Sequence, residues 1–271
     1  MKYYLYNSLA NNGIKPNAPE GVNLISSIDM DYPKFFESLK EDDEVVLFGG
    51  DGTLNYFVNA MKGHEIKNNV YLYGSGTGND FFRDINKKPW DEVLLNDYIE
   101  DLPVVRVNGK ERLFVNGFGH GVDGYCCEIA DKIRKKDPNK KINYAYIGMK
   151  AFLFEFKPNH AKITVDDKTY EFDDVWFAPT MKGKYYGGGM KIAPNQDRFS
   201  DTLSVVVFHT RSKLKTLIFF PMIYTGEHVK KKDMITILTG KKIHVEYTRA
   251  CTGQVDGDTI LNVREYTAEI N

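Results

Sequence analysis

Two glycine-rich segments, each lying directly after a short β-prone run, constrain the fold of this 271-residue chain more than any other feature. The first segment, residues 49–53 (GGDGT), follows the apolar run EVVLF and precedes apolar residues at helical spacing. The second segment, residues 74–80 (GSGTGND), follows the run VYLY. A repeated succession of strand, loop and helix predicts a mostly parallel sheet with helices on its faces.

Both segments are suited to binding phosphate, because glycines let backbone amides approach an anion and the N-terminus of a following helix favours negative charge. The alternative is that the glycines only turn the chain. Each segment also contains an aspartate, Asp51 or Asp80, which could place a metal ion or could cap the following helix. The chain has no GxxxxGKS or GxxxxGKT motif, and Asn79 occupies the position of the third Rossmann glycine. P-loop enzymes and hydride-transfer enzymes are therefore disfavoured.

The pattern changes near residue 110, beyond which short strands dominate. A hairpin is expected at residues 161–172, and further strands are expected at 175–180, 202–208, 234–238 and 242–247. One helix is expected at about 213–224. Many short strands with few helices predict an antiparallel second domain. The expected division is an α/β nucleotide-binding domain at residues 1–110 and a β-rich substrate domain at residues 111–263.

The composition limits the class of function. Hydrophobic residues make up 42% of the chain, enough for a buried core, and the formal net charge of −1 gives no basis for nucleic-acid binding. Three cysteines without metal-like pairing fit a reducing compartment. The longest apolar run, residues 217–224, is too short to span a bilayer. We therefore expect a cytoplasmic protein that meets a membrane only from its surface, and the sequence leaves oligomerisation open.

Two basic clusters and one aromatic segment could contact lipid. The clusters are residues 134–141 (RKKDPNKK) and 230–232 (KKK), which could attract anionic headgroups or could be solvated loops. Residues 152–156 (FLFEF) could line a pocket for acyl chains, form a membrane-facing patch or belong to an ordinary core.

Six motifs in order resemble those of the diacylglycerol kinase-like lipid kinase family. Residues 49–55 (GGDGTLN) are similar to the nucleotide motif that diacylglycerol, sphingosine and ceramide kinases share, more distantly, with NAD kinases. Residues 76–81 (GTGNDF) are similar to a motif of the lipid kinases alone. The other four matches are residues 116–119 (NGFG), 187–194 (GGGMKIAP), 226–228 (GEH) and 256–258 (DGD).

The resemblance implies a fold and an activity. The fold is an N-terminal three-layer α/β nucleotide-binding domain followed by a C-terminal antiparallel β-sandwich-like domain, with residues from about 264 to 271 returning to the first domain. The activity is transfer of the γ-phosphoryl group of ATP, with Mg²⁺, to the hydroxyl of a lipid presented at a membrane surface. Diacylglycerol is the default acceptor that the family implies.

The resemblance also implies roles for particular residues. Asp51 and Asp80 would place Mg²⁺, and Asp258 would act as the general base that accepts the proton of the substrate hydroxyl. Asp256 and Asp258 also flank Gly257 in the manner of an ordinary hairpin turn. Asp197 and Asp201 lie in the segment that holds a structural Mg²⁺ in some bacterial members. The residues expected at the nucleotide are Asn7, Ser26, Gly49, Gly50, Asp51, Gly52, Thr53, Asn55, Gly76, Thr77 and Asn79.

The sequence departs from the family at several carboxylates. Asp258 stands where the family has glutamate, Tyr56 where a glutamate usually follows the first motif, and Arg106 near an aspartate of the bacterial diacylglycerol kinases. These changes leave two alternatives open. One is a related kinase that acts on another lipid or a small soluble alcohol, and the other is a nucleotide-binding regulator with weak or lost transfer.

Overall fold

A computed structural model of the chain describes residues 1–7, 20–74, 78–137 and 140–270. The chain separates into two compact units, Met1–Leu102 and a second unit that begins at Pro103. The boundary falls shortly before the change of pattern expected near residue 110. Within the described residues, no helix has both the length and the apolar composition needed to cross a membrane.

The first unit is a five-stranded sheet with short helices between the strands. Its strands lie in the order β2-β1-β3-β4-β5; the first four are parallel, and β5 is antiparallel to β4. This arrangement confirms the predicted mostly parallel sheet. The elements are β1 (Lys2–Tyr6), β2 (Asn23–Ser26), α1 (Tyr32–Glu37), β3 (Glu44–Gly49), α2 (Asp51–Ala60), β4 (Asn69–Gly74), α3 (Asp80–Asp84), β5 (Glu92–Leu94) and α4 (Asn96–Ile99).

Local sequence explains the first unit well. The centre of β3 is apolar without alternation because both faces of a central parallel strand are covered, and Val45, Val46 and Leu47 are fully buried. Helix α1 begins after Asp31, whose carboxylate accepts a hydrogen bond from the amide of Lys34. Helix α2 turns Leu54 and Phe57 towards the core, where both are fully buried.

The second unit is a ten-stranded, largely antiparallel sheet with three helices. The sheet path is β7-β6-β15-β14-β8-β11-β12-β10-β9, with β13 paired to β12. Strand β14 pairs with both β8 and β9, so the strands from β8 to β9 close into a ring. The elements are β6 (Val104–Val107), β7 (Lys110–Leu113), β8 (Gly117–His120), α5 (Val122–Lys136), α6 (Tyr144–Lys150), β9 (Asn159–Val165), β10 (Lys168–Phe177), β11 (Thr180–Met181), β12 (Leu203–His209), α7 (Lys213–Thr225), β13 (Ile235–Gly240), β14 (Lys242–Val255) and β15 (Asp258–Glu269).

Two apolar clusters cover opposite faces of β12. Val205 and Val207 belong to the cluster enclosed by the strands, whereas Val206 and Phe208 belong to the cluster beneath the helices. Successive side chains of a strand point to opposite faces, so coverage of both faces accounts for the four consecutive apolar residues 205–208. A π-helical turn, Ala151–Glu155, continues α6 and contributes Phe152 to the second cluster.

The helices of the second unit differ in part from the sequence-based expectation. Helices α5 and α6 were not expected, although Val122, Cys126, Ile129 and Ile133 recur at helical spacing and could have revealed α5. Residues 264–269 extend β15, which pairs with β14 and with β6, and Tyr266 is buried in the enclosed cluster. The return of residues from about 264 to the first domain stays a prediction.

Candidate active site

The carboxyl ends of the four parallel strands meet at one edge of the first sheet. Asn7 follows β1, Ser26 ends β2, and Gly50 lies between β3 and α2. The chain runs from β1 to β2 on one side, while β3 lies on the other side of β1, so the strand order reverses between β1 and β3. Ligands of open α/β sheets bind in the crevice at such a reversal. The fold therefore brings residues from both sides of that crevice to one edge.

Asp51 connects the two glycine-rich segments. Its Oδ2 accepts a hydrogen bond of 2.9 Å from the amide of Asp80, and its Oδ1 accepts one of 2.9 Å from the amide of Phe81. These amides begin α3 and have no acceptor within that helix. Asp51 was expected either to place a metal ion or to cap α2, the helix that follows it. In the structure its carboxylate caps α3 instead. The two segments are held at a fixed spacing.

Two glycines of the first segment differ in what surrounds them. A Cβ atom on Gly49 would lie 2.0 Å from Thr53 Oγ1, so the tight passage from β3 into α2 requires glycine there. A Cβ atom on Gly52 would meet nothing within 4 Å, so the first turn of α2 is open on that side. The first amides of a helix lack intrahelical acceptors, and the helix dipole favours an anion beside them.

The carboxylates of Asp51 and Asp80 both lie near the place where Gly78 lacks a side chain. A Cβ atom on Gly78 would lie 3.1 Å from Asp51 Oδ2 and 3.9 Å from Asp80 Oδ2. Asp80 is buried at the start of α3, and Arg83 Nη1 approaches its Oδ1 to 3.5 Å. Carboxylate oxygens are ligands of the type that Mg²⁺ uses, and these two carboxylates lie close to each other beside Gly78.

The remaining expected nucleotide residues have different surroundings. Ser26 is exposed at the end of β2, and Asn7 is partly buried after β1. Asn55 is buried in α2, where its side-chain oxygen accepts a hydrogen bond from Asn59 Nδ2. Asn79 is buried in a left-handed backbone conformation immediately before α3. Gly76 and Thr77 lie outside the described residues.

In the second unit, residues 256–258 form the tip of the β14–β15 hairpin. Val255 pairs with Asp258, so Asp256 and Gly257 make a two-residue turn, and both have positive φ angles of 46° and 100°. This is the geometry that Asp-Gly turns favour. The turn places Asp258 at the first position of β15, where its side chain is 63% exposed and Arg112 Nη2 contacts its Oδ2 at 2.7 Å.

Asp256 fixes the hairpin to a neighbouring segment. Its carboxylate accepts hydrogen bonds from the amides of Val115, Asn116 and Gly117 at 2.6, 2.8 and 3.0 Å. Arg198 holds the same segment, since its guanidinium donates to the Val115 carbonyl and to Asn116 Oδ1. The sequence analysis assigned no role to Arg112 or Arg198. Their partners lie far away in the chain, so no local pattern could have revealed them.

Asp197 and Asp201 lie on the loop between β11 and β12. Asp197 Oδ1 accepts a hydrogen bond from the amide of Phe199, and Asp201 forms an exposed ion pair of 2.7 Å with Lys241. Within the described ranges, the one cluster of three potential ligand side chains is His244, Glu246 and Glu265 on the β14–β15 hairpin. Neither of the two loop aspartates belongs to such a cluster.

Asp123 is a buried carboxyl group near the start of α5 that the sequence analysis did not single out. Burial raises its pKa to about 6, although Tyr186 Oη and the amide of Gly124 donate hydrogen bonds to it at 3.2 and 2.9 Å. A Cβ atom on Gly119 would lie 2.0 Å from Asp123 Oδ2, so glycine is needed beside it. His120 is also buried, and burial lowers its pKa to about 4.

Comparisons with known proteins agree with this geometry. A family model for the diacylglycerol kinase catalytic domain matches residues 24–106. A second model, for the YegS C-terminal NAD kinase beta sandwich-like domain, matches residues 117–267. The two matches fall on the two structural units.

Individual relatives cover most of the chain. A diacylglycerol kinase of Mycobacterium tuberculosis is 29% identical over 230 residues, which cover 81% of this chain and 71% of that protein. A Bacillus subtilis protein named "Putative lipid kinase YtlR" is 27% identical over 220 residues, covering 73% and 68% of the two chains. A solved structure from Bacillus anthracis, described as "a putative diacylglycerol kinase", shares the fold with a TM-score of 0.72 at 20% identity, covering 100% and 92%.

A parallel α/β unit with two braced glycine-rich loops, followed by an antiparallel unit of NAD kinase type, defines a phosphotransferase with an alcohol group as acceptor. The second family model alone matches more than half of the chain. The chain belongs to the diacylglycerol kinase-like lipid kinase family, as its motifs predicted.

Proposed function

We propose that the protein transfers the γ-phosphoryl group of ATP to the hydroxyl of a lipid, with Mg²⁺, and that diacylglycerol is its default acceptor. The observation that carries the proposal is the brace from Asp51 to the start of α3. It holds the start of α3, which follows the second glycine-rich segment, beside the first segment at one edge of the sheet, where backbone amides can bind phosphate.

The nucleotide phosphates would lie against the first turn of α2. Gly50, Gly52 and Thr53 supply the amides there, and the open side of Gly52 gives an anion access to them. Asn7, Ser26 and Asn79 belong to the same proposed site, as do Gly76 and Thr77 of the second motif. Phosphoryl transfer depends on such positioning and on electrostatic stabilisation more than on covalent chemistry.

Asp51 and Asp80 would hold Mg²⁺, whose role when bound is to neutralise charge on the phosphate oxygens. The residues fit this role, because both carboxylates border the cradle at Gly78 and substitution of that glycine would intrude on it. We do not extend the proposal to a second ion at Asp197 and Asp201. Asp201 is exposed and forms an ion pair with Lys241, a cation that competes with a metal for its carboxylate.

Asp258 would act as the general base. It is exposed beside a turn that Asp256 anchors, and Arg112 contacts one of its oxygens, so the other oxygen could accept the proton of an alcohol. Aspartate is one methylene shorter than the glutamate of the family, and a misplacement of about 1 Å can cost on the order of a hundredfold in rate. The pairing with Arg112 restricts the directions that the shorter side chain can take.

The acceptor is proposed from the names of the relatives, several of which are diacylglycerol or lipid kinases. A cytoplasmic location, with the substrate lipid met at the inner face of a membrane, remains the expectation from the sequence.

Transfer of labelled phosphate from ATP to a total bacterial lipid extract, with Mg²⁺, tests the proposal. The wild type should label a lipid whose mass identifies the acceptor, and Asp258→Ala should reduce the rate by about 10²–10⁴-fold. Asp201→Ala, which removes an exposed pair with Lys241, is the control and should keep the rate. ATP binding without labelling of any lipid would exclude the lipid kinase reaction and favour a soluble alcohol acceptor or a regulatory role.

A further inference from the structure

The helices of the second unit expose an unusual number of large apolar side chains. Phe154 is 78% exposed, Leu214 is 68% exposed and Ile218 is 63% exposed. Tyr146 and Met149 of α6 are also exposed. We call these five residues the apolar helical face.

These side chains belong to elements that pack against one another. Lys213 Nζ donates a hydrogen bond of 2.7 Å to the carbonyl of Leu153, which joins the start of α7 to the π-helical turn beside Phe154. A Cβ atom on Gly148 would lie 3.3 Å from the ring of Phe220, so α6 and α7 are also in close contact. The exposed residues therefore come from one contiguous group of helices.

Helix α7 has no polar outer side over its central turns. Thr216, Phe219 and Ile223 face the core and are buried, whereas Leu214 and Ile218, four residues apart, face solvent. A helix on the surface of a soluble domain normally turns charged or polar residues outward. The aromatic segment at residues 152–156 is divided in the same way, since Phe152 is buried in the core and Phe154 is exposed.

The two chain segments that carry this face are rich in basic residues. Residues 131–157 contain eight Lys or Arg and three Asp or Glu, and residues 211–233 contain six Lys or Arg and two Asp or Glu. The two segments thus carry a formal charge of +9 in a chain whose total charge is −1. Lys135 and Lys136 at the end of α5 are exposed and form no ion pair in the described part of the chain.

We propose that the apolar helical face, with its basic surroundings, binds the surface of an anionic lipid bilayer. The apolar side chains enter the boundary between headgroups and acyl chains, while the lysines contact anionic headgroups. Pairing with a second copy of the chain would oppose two strongly positive surfaces, so like charges disfavour it. The inference rests on the proposed function, because a kinase with a lipid acceptor has to reach a bilayer. It identifies the surface through which the enzyme does so.

Co-sedimentation with vesicles tests the inference without ATP. The wild type should bind vesicles that contain phosphatidylglycerol and should bind pure phosphatidylcholine vesicles much more weakly. The double variant Phe154→Ser/Ile218→Ser should bind anionic vesicles at least tenfold more weakly, and Lys135→Glu/Lys136→Glu should also lose at least tenfold. Leu261→Ser removes a side chain of comparable exposure, 54%, from β15 and should leave binding unchanged.

A kinase assay with a short-chain diacylglycerol in detergent separates this inference from the proposed function. Both double variants should keep wild-type activity in detergent, because the substrate there is not presented at a charged bilayer surface. On vesicles, both should lose activity. Vesicle binding that is retained by both double variants would overturn the inference. So would a wild-type protein that does not bind anionic vesicles. A concentration-dependent dimer that Phe154→Ser/Ile218→Ser abolishes, without vesicle binding, would assign the face to a second copy instead. Vesicle binding without any kinase activity would refute the proposed function and leave the inference standing.

Discussion

Asp51 and Asp256 each anchor a distant backbone segment in their own unit, but the sequence separation between anchor and segment differs. Each precedes a glycine, and each carboxylate accepts hydrogen bonds from consecutive backbone amides of another segment. The partners of Asp51 lie 29 and 30 residues away, whereas those of Asp256 lie 139 to 141 residues away. The contacts of Asp51 therefore join two motifs that are close in the sequence. The contacts of Asp256 form only when segments far apart in the sequence come together.

The difference predicts that the second site is the more sensitive to loss of its aspartate. Asp256→Ala leaves three partly buried amides without their acceptor, so the free energy of unfolding should fall by about 2–4 kcal/mol. Asp51→Ala removes a cap with two amides and should cost about 1–2 kcal/mol. Urea denaturation of both variants measures these losses. Equal losses would show that the long-range anchor of the hairpin adds nothing beyond a helix cap.

Gly49 and Gly52, two of the three glycines of the first motif, should affect stability differently while both affect ATP binding. Gly49→Ala forces a methyl group against Thr53, and we expect a loss of about 2–3 kcal/mol in the free energy of unfolding. Gly52→Ala meets open space at the first turn of α2 and should leave stability unchanged or slightly higher. Both variants should bind ATP more weakly, which calorimetry can measure. A stable Gly49→Ala protein would contradict the close approach.

The buried groups Asp123 and His120 should make opposite contributions to the pH dependence of stability. The pKa of Asp123 is raised from 3.8 to about 6, so between about pH 4 and pH 6 the folded state binds more protons there and stability falls as the pH rises. The pKa of His120 is lowered from 6.5 to about 4, so its contribution rises with pH over nearly the same range. The two contributions largely offset each other in the wild type.

Asp123→Asn should remove one of these contributions. Its stability relative to the wild type should increase between about pH 4 and pH 6, and the gap should reach about 1–3 kcal/mol at pH 7. Denaturation with urea at a series of pH values measures the gap, with Asp201→Asn, an exposed aspartate, as the control. A gap that does not change with pH would mean that Asp123 titrates at its ordinary value.

The smallest expected effect on stability is that of Arg112, and it tests how the second site is oriented. Asp258 is 63% exposed and Arg112 is 29% exposed, so loss of their pair in Arg112→Gln should lower the free energy of unfolding by about 1 kcal/mol or less. The same change should lower kcat by about tenfold and leave the KM for ATP unaltered, because Asp258 is then no longer oriented by the guanidinium. Arg112→Lys should restore part of kcat. A change in the KM for ATP alone would place Arg112 in nucleotide binding instead.

Local patterns predicted much of the fold. The apolar run EVVLF lies in β3, and the apolar residues at helical spacing after the first glycine-rich segment lie in α2. Helix α7 and the turn between β9 and β10 were also expected where they occur. Helices α5 and α6 were missed because the count of short strands outweighed the helical spacing within α5.

The sequence by itself determined the family, the order of the two domains and the residues of the first glycine-rich loop. These depend on the local conformational freedom of glycine and on apolar periodicity, which neighbouring residues carry. Only the tertiary structure decided that β14 closes the second sheet by pairing with both β8 and β9, and that β15 pairs with both β14 and β6. It alone brought Arg112 to Asp258 and exposed Phe154 while burying Phe152, because strand pairing and burial depend on partners far away in the chain.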